Sequence, residues 1–569
     1  MVKKRVVNGL EEIALLLELA GESPFRIRAY ENAARTIKSL PYDLEEAIGE
    51  GSLQKIKGIG TNISERIQEL AQDENPPYLV ELRSRFPDGV LEMFRIPGLG
   101  PKKIRVLMDE LEVRSIGELE YACRENRLLD LSGFGDKTQE NILKGIKNLS
   151  DYAGRYLSFY VAREAGQLVE SLKKVKDVVH VEIAGSLRRK KETVKDIDIV
   201  AAGESEPLMD AVQNHKLVRE VCARGPTKLS AILGSGVNLD LRVVPPESYP
   251  YALQHFTGSK DHNVTLRGKA VSVGLKSNEY GLFRGEKNIP CRSEKDIYGE
   301  LDLDYIEPEL REDMGELEAA EVHRLPDLVE EGDISGALHL HTVASDGSAT
   351  LEEMVAAARE LGLSYLGVTE HSQSARYARG LEPERVEAEH DHIEKLNSEL
   401  KDFTLLKGIE ADILSDGSLD YPDSILKSFD FVIGSVHSGF SMPEDKMTKR
   451  ICRALENPYL NILGHPTGRL LLTREPYAVD MEKVLACAAK NGKVIELNSH
   501  PYRLDLDWRL MPLAKSLGIK IAICPDAHST EELAYTLSGV GIARKGWLTK
   551  DDVVNCMSAE ELREYFEKK

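Results

Sequence analysis

Seven short apolar runs alternating with helix-length stretches occupy the C-terminal part of this 569-residue chain, and few folds accept that pattern. The runs fall at Ala337–Thr342, Tyr365–Thr369, Thr404–Glu410, Phe431–Val436, Asn461–Leu463, Lys493–Leu497 and Lys520–Ile523. Seven β/α units predict a distorted (β/α)7 barrel, related to the eightfold one, with chemistry at the strand C-termini. Those ends carry His339, His341, Asp346, His371, Glu410, His437, His465, Asp526 and His528. His339 and His341 stand two apart on a strand, so their imidazoles share one face. Mixed histidine and carboxylate ligands suit Zn²⁺, Mn²⁺ or Fe²⁺ better than Mg²⁺ or Ca²⁺. Asp346 and Glu410 are able to bridge ions, which predicts a multinuclear hydrolytic site. One histidine alone would be read as structural; nine ligand types at strand ends argue against coincidence. His390-Asp391-His392 repeats the spacing inside the charged helical stretch Glu384–Leu400, where such residues diverge, and is expected to be a solvated face. Asp412, Asp416 and Asp420 match no calcium loop and are also expected to be solvated.

A second constellation lies upstream. Gly185-Ser186-Leu187-Arg188-Arg189 precedes Asp196-Ile197-Asp198-Ile199-Val200. The alternation is that of a strand, so Asp196 and Asp198 project from one face, where they repel unless a divalent cation lies between them. The Gly-Ser turn offers amides and a hydroxyl to phosphate oxygens. A lone Asp-x-Asp is usually a pair of solvated acids; beside this turn and two arginines it points to nucleotidyl transfer. Strands are expected near Val178–Ala184, Asp196–Ala201 and Asn238–Val244 in a mixed α/β region.

The first 150 residues repeat one short motif. Ile56-Lys57-Gly58-Ile59-Gly60, Ile96-Pro97-Gly98-Leu99-Gly100 and Leu131-Ser132-Gly133-Phe134-Gly135 each precede an amphipathic run. Gly58, Gly60, Gly98, Gly100, Gly133 and Gly135 allow tight turns, and each following helix aims free amides at a phosphate. A single G-x-G is weak, since helix ends also use glycine. Three copies predict helix-hairpin-helix contacts to a DNA backbone.

A net charge of −21, taken over the whole chain, runs against this, but the charge is unevenly placed. Residues 1–150 hold 22 basic and 25 acidic side chains, and 151–300 hold 23 and 20. Residues 301–332 hold 2 and 12, and the remainder 27 and 38. The acidity therefore leaves room for basic patches on the nucleic-acid-binding part. The acidic stretch is expected to be a linker. Seven scattered cysteines without C-x-x-C spacing point to reduced thiols and against a zinc ribbon. Neither a membrane-length apolar run nor a signal-peptide pattern is present, so a cytoplasmic protein is expected.

Taken together, these motifs resemble the prokaryotic family X DNA polymerases with a C-terminal polymerase-and-histidinol-phosphatase (PHP) domain, over essentially the whole length. The most specific parts are Gly185–Arg189 with Asp196 and Asp198, Phe256-Thr257-Gly258-Ser259, and the nine barrel positions. The resemblance implies a helical DNA-binding domain at 1–85 and a helix-hairpin-helix region at 86–150. A polymerase palm with nucleotide-selection region follows at 151–305, then an acidic linker at 306–332 and the PHP domain at 333–569. It implies that Asp240 completes the catalytic carboxylates, holding Mg²⁺ or Mn²⁺. Ser186 and Arg189 would grip a deoxynucleoside triphosphate, Thr257-Gly258-Ser259 would turn beside its sugar, and Asn263 and Arg267 would face the nascent pair or template. In the barrel it implies up to three Mn²⁺ or Zn²⁺ ions. His339, His341, Glu410 and Asp526 would serve one, Glu410, His437 and His465 a second, and Asp346, His371 and His528 the third.

The implied function is gap filling on gapped or primed duplex DNA in repair, by a monomer that also has 3′→5′ exonuclease activity. Arg469, Arg474 and Arg503 are candidates to position substrate phosphates. Two positions depart from the family pattern. His255-Phe256 replaces a frequent aromatic pair, leaving Phe256 to obstruct a ribose 2′-hydroxyl. Arg66 stands where eukaryotic relatives carry a lysine that forms a Schiff base with an abasic sugar, and a guanidinium cannot act as that nucleophile. Lys55 and Lys57 nearby are read as phosphate contacts. Two rival readings are a template-independent nucleotidyltransferase acting on RNA ends and a DNA-binding scaffold with vestigial catalysis.

Overall fold

The computed structural model describes the chain apart from residues 1, 39, 41–43, 50, 57, 74–75, 112, 125–127, 129–130, 132, 153, 473 and 568–569. Lys57 and Ser132, both named above, fall outside the described residues. The chain forms two compact units, Met1–Ala153 and Gly154–Lys569.

In the first unit every described element is helical. Helix Val2–Leu19 packs on Pro24–Lys38 and Thr61–Gln72 around Leu10, Ile13, Leu17, Ile37 and Ile67. A second core gathers Val90, Ile104, Leu107, Leu119 and Ile142. The apolar spacing along these helices, three and four residues apart, builds both cores. The three hairpins share one geometry. Gly58, Gly98 and Gly133 adopt φ of 91°, 83° and 87°, a region that L side chains avoid. Ile59, Leu99 and Phe134 are buried between exposed glycines.

The second unit begins with a five-stranded mixed sheet. Its order is His180–Ile183, Asp196–Ala202, Asn238–Val244, Lys228–Leu233 and Val218–Arg224. Asp196–Ala202 runs parallel to Asn238–Val244, and the outer pairings are antiparallel. Ile197 and Ile199 face the core, which leaves Asp196 and Asp198 on the open side.

The segment 306–332, expected to be a linker, is described throughout, and part of it is packed into the fold. Leu310, Arg311, Glu316, Leu317 and Ala320 are all under 7% exposed. Its acids meet partners distant in sequence. Glu312 pairs with Arg189 and Lys545 at 3.0 and 2.6 Å, and Glu316 with His262 at 2.7 Å. Arg311, from the same segment, pairs with Glu294 at 2.6 Å. Buried charge requires such partners, and here composition alone hid them.

The seven expected strands form one parallel sheet in chain order, from Gly336–Leu338 to Ile521–Cys524. His341 donates its amide to the Ala527 carbonyl at 2.8 Å, tying the first strand's end to the last. Helices cover the outside, as a parallel sheet requires. Barrel and palm share a buried seam within this unit. The Trp508 indole donates to Glu192 at 3.0 Å, and the Lys545 ammonium lies 4.4 Å from the Trp508 ring centre. Lys545 is fully buried and also donates to the carbonyls of Arg189 and Glu309. Burial lowers it to about 8, against the pull of Glu312.

Candidate active sites

On the palm sheet, Asp198 lies directly opposite Asp240 on the neighbouring parallel strand, with Asp196 two residues before. Burial, reinforced by the charges of Asp196 and Asp240, raises Asp198 to about 7; burial and the Asp240 charge raise Asp196 as well. Three mutually repelling acids on one half-buried face are donors of the kind a divalent cation takes. Asp240 accepts from Ser230 at 2.5 Å and pairs with Lys228 at 2.8 Å. Lys228 escaped the sequence reading because the hairpin that carries it was not anticipated.

Gly185 has φ 61°, and a Cβ there would stand 2.0 Å from an Asp198 oxygen. The glycine is therefore required twice, by the turn and by the carboxylate. Gly185→Ala is expected to lower nucleotide addition roughly 100-fold or more by displacing Asp198, while the chain still folds. Single-turnover extension of a primed template measures it.

The selection region is tightly built. Thr257, fully buried, ends helix Tyr249–Thr257, and Ser259 caps helix Lys260–Ser272 by accepting from the His262 amide. Asn263 accepts from Gln254 and donates to the His255 carbonyl, and Arg267 is exposed one turn on. Phe256 lines a small cavity with Asp198, Lys228, Asp240 and Arg242, whose guanidinium lies 5.1 Å from the ring centre. Ser186 is part-exposed in the first turn of the short helix Gly185–Arg188. Arg189 is already engaged, donating to Glu312 and to the Thr257 carbonyl.

In the barrel all nine expected ligands converge. Glu410, 1% exposed, is the hub: one oxygen lies 3.3, 3.3 and 3.0 Å from His339, His437 and His465. Its other oxygen lies 2.8 Å from His371 and 3.7 Å from His341. Asp346 approaches His371 and His528 at 3.5 and 3.4 Å, and Asp526 approaches His341 at 3.4 Å. The tightest ligand sets are His341/Asp346/His371/His528, His339/His341/Asp526 and His371/Glu410/His437. His341 and His371 are thus shared between sets, a closer packing than the expected division into three groups. His339 and Asp526 sit at φ of 65° and 52°, backbone strain of the kind found at functional sites.

Donor chemistry fits cations. Both ring nitrogens of His341 are buried without a hydrogen-bond partner among the described residues. Burial, helped by His371 and His528, lowers His341 to about 3, so it stays a neutral donor. Burial opposes charging His371, His437 and His528, but neighbouring carboxylates overcome it and raise them to about 10, 9 and 9. These three hold protons at neutral pH that a cation must displace. Metal loading is therefore expected to release more than one proton, and apparent affinity to rise with pH from about 6 toward 9. Calorimetry in buffers of different ionisation enthalpy measures the release; pH-independent affinity would contradict it.

Two orienting acids escaped the sequence reading. Glu496, buried, bonds His339 Nδ1, and Asp412 bonds His437 Nδ1 at 2.6 Å. Asp412 is thus no solvated loop acid; Asp420 accepts from the Ser374 amide, and only Asp416 caps an exposed turn. His390 is half-buried against Phe429 rather than solvated, while His392 pairs with Glu352. Of the three candidate phosphate arginines, Arg469 donates to Asp507 and two carbonyls, and Arg474 to the Gly468 carbonyl. Arg503 alone reaches a ligand, at 3.4 Å from Asp526.

In the first unit Arg66 pairs with Glu69 and lies 4.6 Å from the Tyr78 ring centre. Borohydride treatment with a 5′-deoxyribose-phosphate end is expected to trap almost no protein; efficient trapping lost in Arg66→Ala would contradict this.

Similarity to known proteins follows the same partition. A helix-hairpin-helix domain model matches residues 1–75 and a SAM-like helix-hairpin-helix tandem matches 90–148. The DNA polymerase beta thumb matches 252–312 and the PHP domain 337–500. The DNA polymerase/3′-5′ exonuclease PolX of Bacillus subtilis is 36% identical over 575 residues, 100% of both chains. This chain belongs to the PolX family. Several probable phosphatases are similar to part of the chain. That of Thermoanaerobacter sp. is 30% identical over 41% of this chain and 94% of its own. That of Clostridium acetobutylicum is 32% identical over 34% and 78%. The thumb match extends through residues 306–312. The polymerase and helix-hairpin-helix matches imply DNA binding, and the polymerase and PHP matches, with the clustered donors, imply divalent metals. Among the described residues no helix is long and apolar enough to cross a membrane.

Proposed function

We propose that this chain is a DNA-directed DNA polymerase that fills short gaps and trims 3′ ends at a second, separate site. The observation that carries the reading is the register of Asp198 against Asp240, with Asp196 on the same face and Gly185 shaped around Asp198. Asp196, Asp198 and Asp240 would hold Mg²⁺ or Mn²⁺, and the barrel set Mn²⁺ or Zn²⁺. Such ions supply charge neutralisation at phosphate and activation of the attacking oxygen.

The protein's own groups do the rest. Ser186 offers its hydroxyl to the triphosphate of a deoxynucleotide, and Phe256 stands beside the carboxylates where a sugar would lie. Glu496 and Asp412 fix the tautomers of His339 and His437, turning each Nε2 toward Glu410. Arg503 addresses a phosphate at the barrel mouth. The exposed glycines of the three hairpins would lie against the DNA backbone, and the enzyme would act as a monomer on gapped or primed duplex. Kinship with probable phosphatases supports phosphoester hydrolysis in the barrel.

Offering each deoxynucleoside triphosphate singly to a one-nucleotide gap tests the polymerase reading. Addition restricted to the nucleotide complementary to the template is expected; equal addition of all four would refute template direction.

A further inference from the structure

We propose that an aromatic platform shared by palm and barrel binds the unpaired nucleotides at the 3′ end of a DNA strand entering the barrel site. The proposal rests on the exonuclease reading above. Phe159, Tyr160 and Tyr502 are 37%, 48% and 41% exposed, high values for large apolar rings that touch one another. Phe159 and Tyr160 open the palm helix Ser158–Leu172, whereas Tyr502 lies in the loop after barrel strand Val494–Asn498. Their rings form one cluster. Phe159 is 5.4 Å from Tyr160 and 5.0 Å from Tyr535, Tyr160 is 6.3 Å from Tyr502, and Tyr502 stacks on His500 at 5.9 Å.

The cluster borders the barrel ligands. The loop that carries Tyr502 also carries Arg503, whose Nε lies 3.4 Å from Asp526. Asn498, at the strand end where that loop begins, donates to the same carboxylate at 3.0 Å. From the other side, Glu532 accepts from the His528 amide, and Tyr535 is three residues further on. A phosphodiester held at the ligands and Arg503 therefore has its bases beside exposed rings. Aromatic faces take any base, but only one freed from its own helix, so the platform favours unpaired ends. Palm residues thereby complete a site whose metal ligands all come from the barrel.

Binding is measured without metal, so that chemistry does not enter. A single-stranded oligonucleotide ending in 3′-2-aminopurine is titrated with protein in EDTA. Wild type is expected to quench its fluorescence. Tyr502→Ala and Phe159→Ala should each weaken binding about fivefold or more, with Tyr502→Phe retaining it because stacking needs no hydroxyl. With Mn²⁺, wild type should degrade unpaired 3′ ends faster than paired ones, and the alanine variants should lose that preference. Gap filling by the same preparations reports that each chain is folded. Wild-type quenching and preference in both alanine variants would overturn the platform while leaving the exonuclease intact. Wild type that degrades no DNA, or degradation that survives His341→Ala, would overturn the exonuclease reading instead.

Discussion

Replacing Asp198 with asparagine is expected to reduce nucleotide addition by roughly 10³-fold or more, with 3′-end degradation preserved. The side chain keeps its shape, so the loss isolates the charge that faces Asp240 across the two parallel strands. Cation-held carboxylates supply several kcal/mol of transition-state stabilisation, and each ~1.4 kcal/mol is tenfold in rate. The same substitution should stabilise the metal-free protein. Burial, with Asp196 and Asp240, raises Asp198 to about 7. An acid raised above its unfolded value of about 3.9 binds a proton on folding, so stability is lost as pH climbs from about 4 to about 7. In EDTA at about pH 8 the asparagine variant should melt above wild type, with the difference shrinking toward about pH 4. A variant that melts no higher at the alkaline end would contradict the account of a repelling carboxylate cluster.

Glu410→Gln should do the reverse, lowering 3′-end degradation roughly 10³-fold or more while gap filling continues. Glu410 contacts five of the histidines and is all but inaccessible to water. Removing one partner of a buried ion pair costs about 3–5 kcal/mol, so metal-free stability should also fall. Proton-coupled metal binding should weaken with it. Inductively coupled plasma analysis of the purified variant, beside its nuclease rate, separates lost metal from lost chemistry. A variant that retains both full metal content and full nuclease rate would remove Glu410 from the centre of the site.

Much of this architecture was legible in the residues themselves. All seven barrel strands were expected within a few residues of where they form, because a parallel strand buried on both faces is an uninterrupted apolar run. The alternation at Asp196–Val200 likewise announced a strand with acids on one face. What escaped depends on distance. Val218–Arg224 carries exposed, charged residues and its apolar pattern is weak, whereas Lys228–Leu233 is short and alternates buried Leu229, Ala231 and Leu233 with part-exposed neighbours. Glu496 and Asp412 become orienting acids only when the barrel brings them beside His339 and His437. The acidic segment 306–332 looked solvated because its partners Arg189, His262 and Lys545 lie far along the chain. Arg189 itself carried phosphate-type chemistry in the sequence, yet the fold engages it with Glu312 and Thr257.

The central claim is that one chain lengthens and shortens the same strand at two distinct sites. One labelled primer on a gapped duplex, followed in both directions with Mg²⁺ or Mn²⁺, tests it most directly. Wild type should extend the primer with deoxynucleoside triphosphates and shorten it without them. Asp198→Asn should only shorten it, and Glu410→Gln should only extend it. If either substitution removed both activities from a folded protein, or neither, the assignment of two separate sites would be wrong.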